Sequence, residues 1–173
     1  IDNFPPQAVG DNLISNGGQV VFSPDGSKYV RLNCAGIVIG SYLDIFDFDR
    51  CEGLLSNHRR IYKTGVPATG VAISPNSRFL YQTNTLSVLQ YDLDVADVEA
   101  SEILVAEYDG FESPLITNFF MAQLAPDGKI YICSSSSADK LHLIDDPVSA
   151  GLSCHLRQHA INLPTLNLGS VPN

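Results

Sequence analysis

The chain has 173 residues, 45% of them hydrophobic and 17% charged, which suits one globular domain and excludes a disordered tail. Ten Lys and Arg stand against 19 Asp and Glu, a net charge of −9. The basic residues are scattered singly apart from Arg59-Arg60, so a nucleic-acid backbone would meet repulsion and no basic stripe. No apolar run approaches the roughly 18 residues of a membrane span.

The sequence opens Ile1-Asp2-Asn3-Phe4-Pro5-Pro6, with no initiator Met and no signal-peptide pattern, and so reads as a processed chain or a piece of a longer one. Further along, Phe22-Ser23-Pro24-Asp25-Gly26 recurs as Ile73-Ser74-Pro75-Asn76-Ser77 and as Leu124-Ala125-Pro126-Asp127-Gly128, each step being 51 residues. Every copy follows a short apolar run and precedes a basic residue with a β-prone run: Lys28-Tyr29-Val30, Arg78-Phe79-Leu80-Tyr81 and Lys129-Ile130-Tyr131-Ile132. Pro fixes φ, and Gly or Asn tolerates the left-handed region, so each unit opens as strand, tight turn, strand.

A third strand with period-two alternation follows in every copy and ends in an aspartate: Leu43–Asp49, Val88–Asp92 and Leu141–Asp145. Fourth strands are expected at Arg60–Lys63, Ser101–Tyr108 and His155–Asn162, and at most one helical turn over Asp92–Ala100. Four antiparallel strands at a period of about 40–50 residues predict an all-β fold of β-propeller blades. The expected units are 18–68, 69–119 and 120–173, a partial propeller over 1–173. Complete propellers close with about four to eight blades. Further blades in a longer polypeptide, a partner subunit or a homo-oligomer are therefore expected to cover the open faces. Val20, Phe22, Val71, Ile73, Leu124, Phe46, Leu89 and Leu143 are the expected core.

On these residues the sequence resembles the YVTN/WD40-like propeller repeats of secreted and surface proteins. The stretches Ile45–Gly53, Gly70–Pro75, Gln123–Tyr131 and Leu143–Pro147, with Gly151 and Cys154, more closely resemble large extracellular proteins of Bacteroidetes-type gliding bacteria that carry a type IX secretion sorting domain. That resemblance implies export to the cell surface, upstream of adhesion-like modules, and carries no agreed catalytic residues.

Propellers of the lactonase or lyase kind keep acids and histidines where each blade's first strand starts. The corresponding positions here are Gly18, Thr69 and Phe120, none of them titratable, whereas acid–base or metal chemistry needs converging titratable groups. Asp49, Asp92 and Asp145 suggest a calcium ring, but residues on successive blades stand far apart, and each Asp is expected to accept turn N–H groups instead. Asp47 and Asp49 share a strand face without making a site. Cys154, His155 and His159 have half of a zinc spacing and lack the other half, His58 and His142 lying on other elements. The four cysteines allow three full pairings. Cys34 and Cys51 fall at opposite ends of one hairpin, and Cys133 and Cys154 two strands apart, so buried thiols are expected rather than bridges.

The Ser134–Ser137 run reads as a polar hairpin loop between strands, and with the Gly110–Asn118 loop it belongs to one rim of the blades. Phe111, Glu112, Asn118, Ser135, Ser136 and Asp139 are the candidate binding residues, with no catalytic group, metal or cofactor among the expectations. The sequence thus favours a non-catalytic scaffold, outside the cell, recognising protein or glycan. The alternatives are a lactonase- or lyase-like enzyme with its catalytic residues on blades outside this chain, and an intracellular WD40-type scaffold.

Overall fold

A computed structural model describes residues 7, 9–10, 17–34, 40–65 and 67–171; the opening Ile1–Pro6 stretch lies outside the described residues. Twelve strands form three four-stranded antiparallel sheets. The first sheet orders β1 (Val20–Phe22), β2 (Lys28–Cys34), β3 (Ser41–Asp49) and β4 (Leu54–Lys63). The second orders β5 (Ala68–Ile73), β6 (Phe79–Asn84), β7 (Ser87–Asp92) and β8 (Ile103–Glu107). The third orders β9 (Ala122–Leu124), β10 (Ile130–Ile132), β11 (Ala138–Ile144) and β12 (Leu156–Asn167). No α-helix occurs among the described residues; the two 3-10 turns there are Glu99–Ser101, which overlaps the end of the expected turn over Asp92–Ala100, and Gly151–Cys154, for which the sequence offers no expectation.

The repeated turn is built by side chains as much as by backbone. Ser23 Oγ donates to Asp25 Oδ1 at 2.6 Å and accepts from Lys28 N at 2.9 Å, while Gly26 N bonds Ser23 O at 2.8 Å. The second copy repeats this with Ser74 and Asn76 at 2.6 Å, and Phe79 N donates to Ser74 Oγ at 2.8 Å. The third has Ala125 where the serine stands and keeps the Gly128 N to Ala125 O bond at 3.0 Å. Position five lies in the left-handed region in all three, as Gly26, Ser77 and Gly128 with φ of 69°, 62° and 80°. The Ser23 hydroxyl and then the Ser27 backbone N–H hold the Asp25 carboxyl far below the usual carboxylate range.

The basic residue after each turn has a partner at the far end of the hairpin. Lys28 meets Asp47 at 3.5 Å, Arg78 meets Asp92 at 2.7 Å and Lys129 meets Asp145 at 2.6 Å. These pairs account for aspartates near the ends of the third strands. Asp49 itself accepts Cys51 N and Glu52 N at 2.8 and 3.1 Å, and Asp92 accepts Asp94 N at 3.0 Å.

The sheets pack face to face. Val30, Leu32, Leu43, Ile45 and Ile61 of the first interdigitate with Val71, Ile73, Leu80 and Tyr91 of the second. On the opposite face of the second sheet, Ala72, Phe79, Tyr81, Val88 and Val105 pack on Ala122, Ile130, Ile132 and Ile144 of the third. Innermost strands also approach closely: a Cβ on Gly70 would stand 2.5 Å from Phe120 O. Gln19 laces all three blades, accepting Val71 N at 3.0 Å and donating to Ala122 O at 2.8 Å.

Four expectations need correction. Val20 and Phe22 are 55% and 54% exposed, because the face of β1 they occupy has no sheet against it. Leu89 and Leu124 are half-buried, whereas Val71, Ile73, Phe46 and Leu143 are buried as expected. The fourth strands differ in extent: β4 starts at Leu54, β8 is confined to Ile103–Glu107 and β12 runs on to Asn167. Bulges in the ladders of β4 and β12, with Asn57 and His159 at positive φ, break the alternation from which strand ends are read. Among the cysteines, Cys133 and Cys154 are buried, Cys34 is half-buried, Cys51 is exposed, and no disulfide joins them.

Blade-to-blade burial makes stability position-dependent. Ile73→Ala is expected to cost about 2–5 kcal/mol in urea unfolding, and Phe22→Ala only about 1 kcal/mol, from ring contacts to Tyr29 and Phe48. Gln19→Ala should cost about 1–2 kcal/mol by stripping two backbone groups of partners.

Candidate functional site

Two regions of this packing are candidates for a site. The first is a hollow of about 490 Å³ along the innermost strands, lined by Gln19, Val20, Phe22, Ile73, Ala122 and Gln123 among others. No titratable side chain among the described residues lines it. Gly18, Thr69 and Phe120 stand at the strand starts, where Thr69 Oγ1 hydrogen-bonds Thr83 Oγ1 at 3.1 Å and donates to Phe120 O at 3.2 Å.

The second region is the rim formed by the loops between blades and the turns between second and third strands. The turn after β6 and the loop after β8 are joined by Tyr108 N to Leu86 O at 2.8 Å and Phe119 N to Thr85 O at 3.3 Å. The candidate residues meet here. Asn118, buried, accepts at Oδ1 from Ser135 N at 3.0 Å and from Ser135 Oγ at 2.9 Å. Ser136 Oγ donates to Ile116 O, and Asp139 N to Ser113 O at 3.1 Å. Glu112 bridges Ile116 across the loop. The Ser113 side-chain contact holds the Asp139 carboxyl below its ordinary range.

Phe111, Glu112 and Ser135 are the exposed members of this cluster, Phe111 at 45%. The Phe111 carbonyl accepts from Tyr108 O–H and from Thr117 Oγ1 at 2.6 Å, and its N–H donates to Asp109 Oδ1 at 3.0 Å. The Phe111 backbone is therefore held in a closed local network.

Sequence reasoning missed what lies beneath. The rings of Phe111 and His159 stand 4.5 Å apart, His159 and His142 5.0 Å, and His142 and Phe119 4.7 Å, a ladder running from the rim into the core between the second and third blades. His159 Nε2 meets both Asp109 oxygens at 3.0 Å, tying the loop to β12. Fully buried His142 accepts His159 N at Nδ1, 3.3 Å away, which places its proton on Nε2. That Nε2 lies near the backbone of Thr117 and Asn118 without a well-formed hydrogen bond. Burial, with the neighbouring His159, pushes the His142 imidazole down to about 4. Burial opposes ionisation of Asp109, but the Phe111 N–H and His159 outweigh it and hold that carboxyl low. The bulge that brings His159 over His142, 17 residues earlier, has no clear signal in the sequence; His159 at φ 54° marks it.

No three His, Cys, Asp or Glu side chains converge as a metal site among the described residues. His155 is exposed at φ 53° on the turn after buried Cys154, while His159 faces Asp109, so the zinc-like spacing is divided between different surroundings. His58 bonds Asp44 at 2.7 Å on the first blade, away from this rim.

His142 makes stability depend on pH in a definite direction. A histidine whose folded value is depressed stays neutral in the native state but takes a proton when unfolded, so stability falls as pH drops from about 6.5 toward 4. Between pH 7 and 5 the protein should lose about 2 kcal/mol more than His142→Phe, measured by urea unfolding at both values. Equal losses in both proteins would contradict the buried neutral imidazole.

No family profile matches the sequence, and no curated protein matches it at sequence level. Solved structures do match in shape. A putative 6-phosphogluconolactonase from Bacteroides uniformis aligns with a TM-score of 0.59 at 16% identity, over 92% of this chain and 44% of its own. A Lactobacillus plantarum protein aligns at 0.53 and 17% identity, over 86% and 42%, and a luciferin-regenerating enzyme at 0.50 and 13%, over 88% and 46%. The chain thus spans less than half the length of these neighbours. At such identities they show the fold alone, and with three consecutive four-stranded antiparallel sheets that fold is the β-propeller.

Proposed function

We propose that this propeller segment is a non-catalytic recognition scaffold, and that its upper rim binds a protein or glycan ligand through Phe111, Glu112, Ser135, Ser136 and Asp139, with buried Asn118 holding Ser135 in place. The observation that carries this reading is the half-exposed Phe111 ring, on a loop whose backbone is tied at Phe111 and which is joined to its neighbour by partly buried hydrogen bonds. An aromatic surface held in place loses little conformational entropy on binding, and rigid loops on a scaffold suit recognition. Glu112 beside it and the chain's net charge of −9 favour neutral sugars or a basic protein patch over anionic ligands. No membrane-long apolar helix occurs among the described residues.

A lactonase- or lyase-like activity would need acids and bases on blades other than these three, since the inner hollow is lined by apolar and amide side chains. The resemblance of the repeats to secreted surface propellers supports a place outside the cell. The absence of any disulfide among the four cysteines favours the second reading, an intracellular scaffold. Labelling intact cells with an impermeant lysine reagent separates these two, since only the extracellular protein is modified.

Binding is tested by immobilising the protein against an array of soluble glycans and basic surface proteins. A ligand captured by the wild type should bind Phe111→Ala at least tenfold more weakly, with the melting temperature little changed. A ligand bound equally by both proteins would move the site away from this rim.

A further inference from the structure

The tight turns Ser23–Ser27, Ser74–Ser77, Ala125–Gly128 and Ser134–Ser137 carry no Leu, Ile, Val or aromatic residue. The turn between β6 and β7 breaks that rule with Leu86, and the Gly110–Asn118 loop beside it carries Phe111, Leu115 and Ile116. Leu86 is 60% exposed, Leu115 51% and Ile116 37%. The third blade has four serines where the second has the Leu86 turn, so this place in the repeat does not require an apolar tip. Folding does not account for these side chains.

The backbone under them is braced. Asn84 Oδ1 accepts Leu86 N at 3.2 Å and Ser87 N at 2.9 Å, and Leu86 O accepts Tyr108 N at 2.8 Å. Within the loop Ser113 N donates to Leu115 O at 2.8 Å, and Ile116 O accepts from Ser136 Oγ. These backbone groups are spent inside the rim, so what the tip offers a ligand is apolar side chain. Exposed apolar side chains gathered in one place mark a contact surface. The charge beside them is negative. Asp109 and Asp139 are engaged by His159 at 3.0 Å and Lys140 at 3.4 Å, so exposed Glu112 is the charge this tip presents, on a chain of net charge −9.

We propose that the rim ligand is a protein segment that sets aliphatic or aromatic side chains against Leu86, Phe111, Leu115 and Ile116, with Lys or Arg beside them to meet Glu112. This rests on the rim reading above and narrows it from protein or glycan to an apolar, basic protein segment. A glycan could stack on the Phe111 ring, but its hydroxyls would find no partner on three aliphatic side chains. A second copy of the chain would bring another −9 to the contact, and an anionic lipid surface is repelled in the same way. Apolar anchors supply the affinity, and the charge pair supplies orientation and association rate.

A randomised peptide library displayed on phage is selected on the 173-residue chain and counter-selected on Leu86→Ser/Leu115→Ser. Both side chains are more than half exposed, so the double variant should melt with the wild type, and Leu115→Ser alone serves as a milder second variant. Surviving peptides should be rich in Leu, Ile, Phe and Met next to Lys or Arg. The best of them, synthesised, should bind the double variant at least tenfold more weakly than the wild type, and Leu115→Ser several-fold more weakly. Its affinity should fall as salt is raised, and Glu112→Gln should remove part of that fall. An empty selection, or survivors without apolar residues, overturns the proposal. So does a soluble glycan whose capture is lost on Phe111→Ala and kept by the double variant, a result that leaves the rim reading standing. Binding to phosphatidylcholine vesicles that the double variant loses would assign the tip to a lipid surface, and self-association that it loses would assign it to a second copy; either overturns the proposal. Peptides that bind Phe111→Ala and the double variant as tightly as the wild type overturn the rim reading itself.

Discussion

A four-stranded sheet with apolar side chains on both faces cannot be stable alone in water, and no α-helix among the described residues covers either face. Only another sheet can. The stacking of Val30, Leu32 and Ile45 on Val71, Ile73 and Leu80, repeated between Tyr81 and Phe79 on one side and Ile130 and Ile132 on the other, is the interaction on which everything else rests. At about 25 cal/mol per Å² of apolar surface removed from water, these faces outweigh any of the surface ion pairs. The Lys28–Asp47, Arg78–Asp92 and Lys129–Asp145 pairs act within a hairpin and help fix its register, whereas the sheet faces decide that hairpins stack.

The same constraint explains where polar groups are buried. Inner strands approach so closely that Gly70 has no room for a side chain, and Gln19 answers the backbone groups of Val71 and Ala122 that the approach leaves. On the rim, Asn118 does the equivalent for Ser135. Packing sets the distances, and the amide side chains of half-buried Gln19 and buried Asn118 satisfy the donors and acceptors that result. Phe111 is then presented by a loop with little freedom, and recognition becomes a property of the scaffold rather than of a flexible tip.

Much of this is legible in the sequence because the repeat expresses it three times. The Ser-Pro-Asp-Gly turn is a local device whose hydroxyl, carboxylate and left-handed fifth residue act within five positions, so Ser23–Gly26 and Ser74–Ser77 can be read without a structure. The grouping of the Gly110–Asn118 and Ser134–Asp139 loops follows from strand order alone. What the sequence hides is set by contacts between distant segments. Phe22 looks like Ile73 in its own strand, and only the presence or absence of a neighbouring sheet separates half-exposed from buried. The His142–His159–Asp109 arrangement depends on a bulge that shifts β12 against β11, and the apparent zinc spacing at Cys154 dissolves once that bulge is known.

If face-to-face stacking is the interaction that holds the structure, damage to one interface must be felt in both blades that form it. Residue-resolved native-state hydrogen exchange on Ile73→Ala tests this most directly. The account predicts faster exchange of the amides of Val30 and Leu32 on the first blade together with Leu80 and Tyr91 on the second, by similar factors. Loosening confined to the second blade, with Val30 and Leu32 as protected as before, would contradict it.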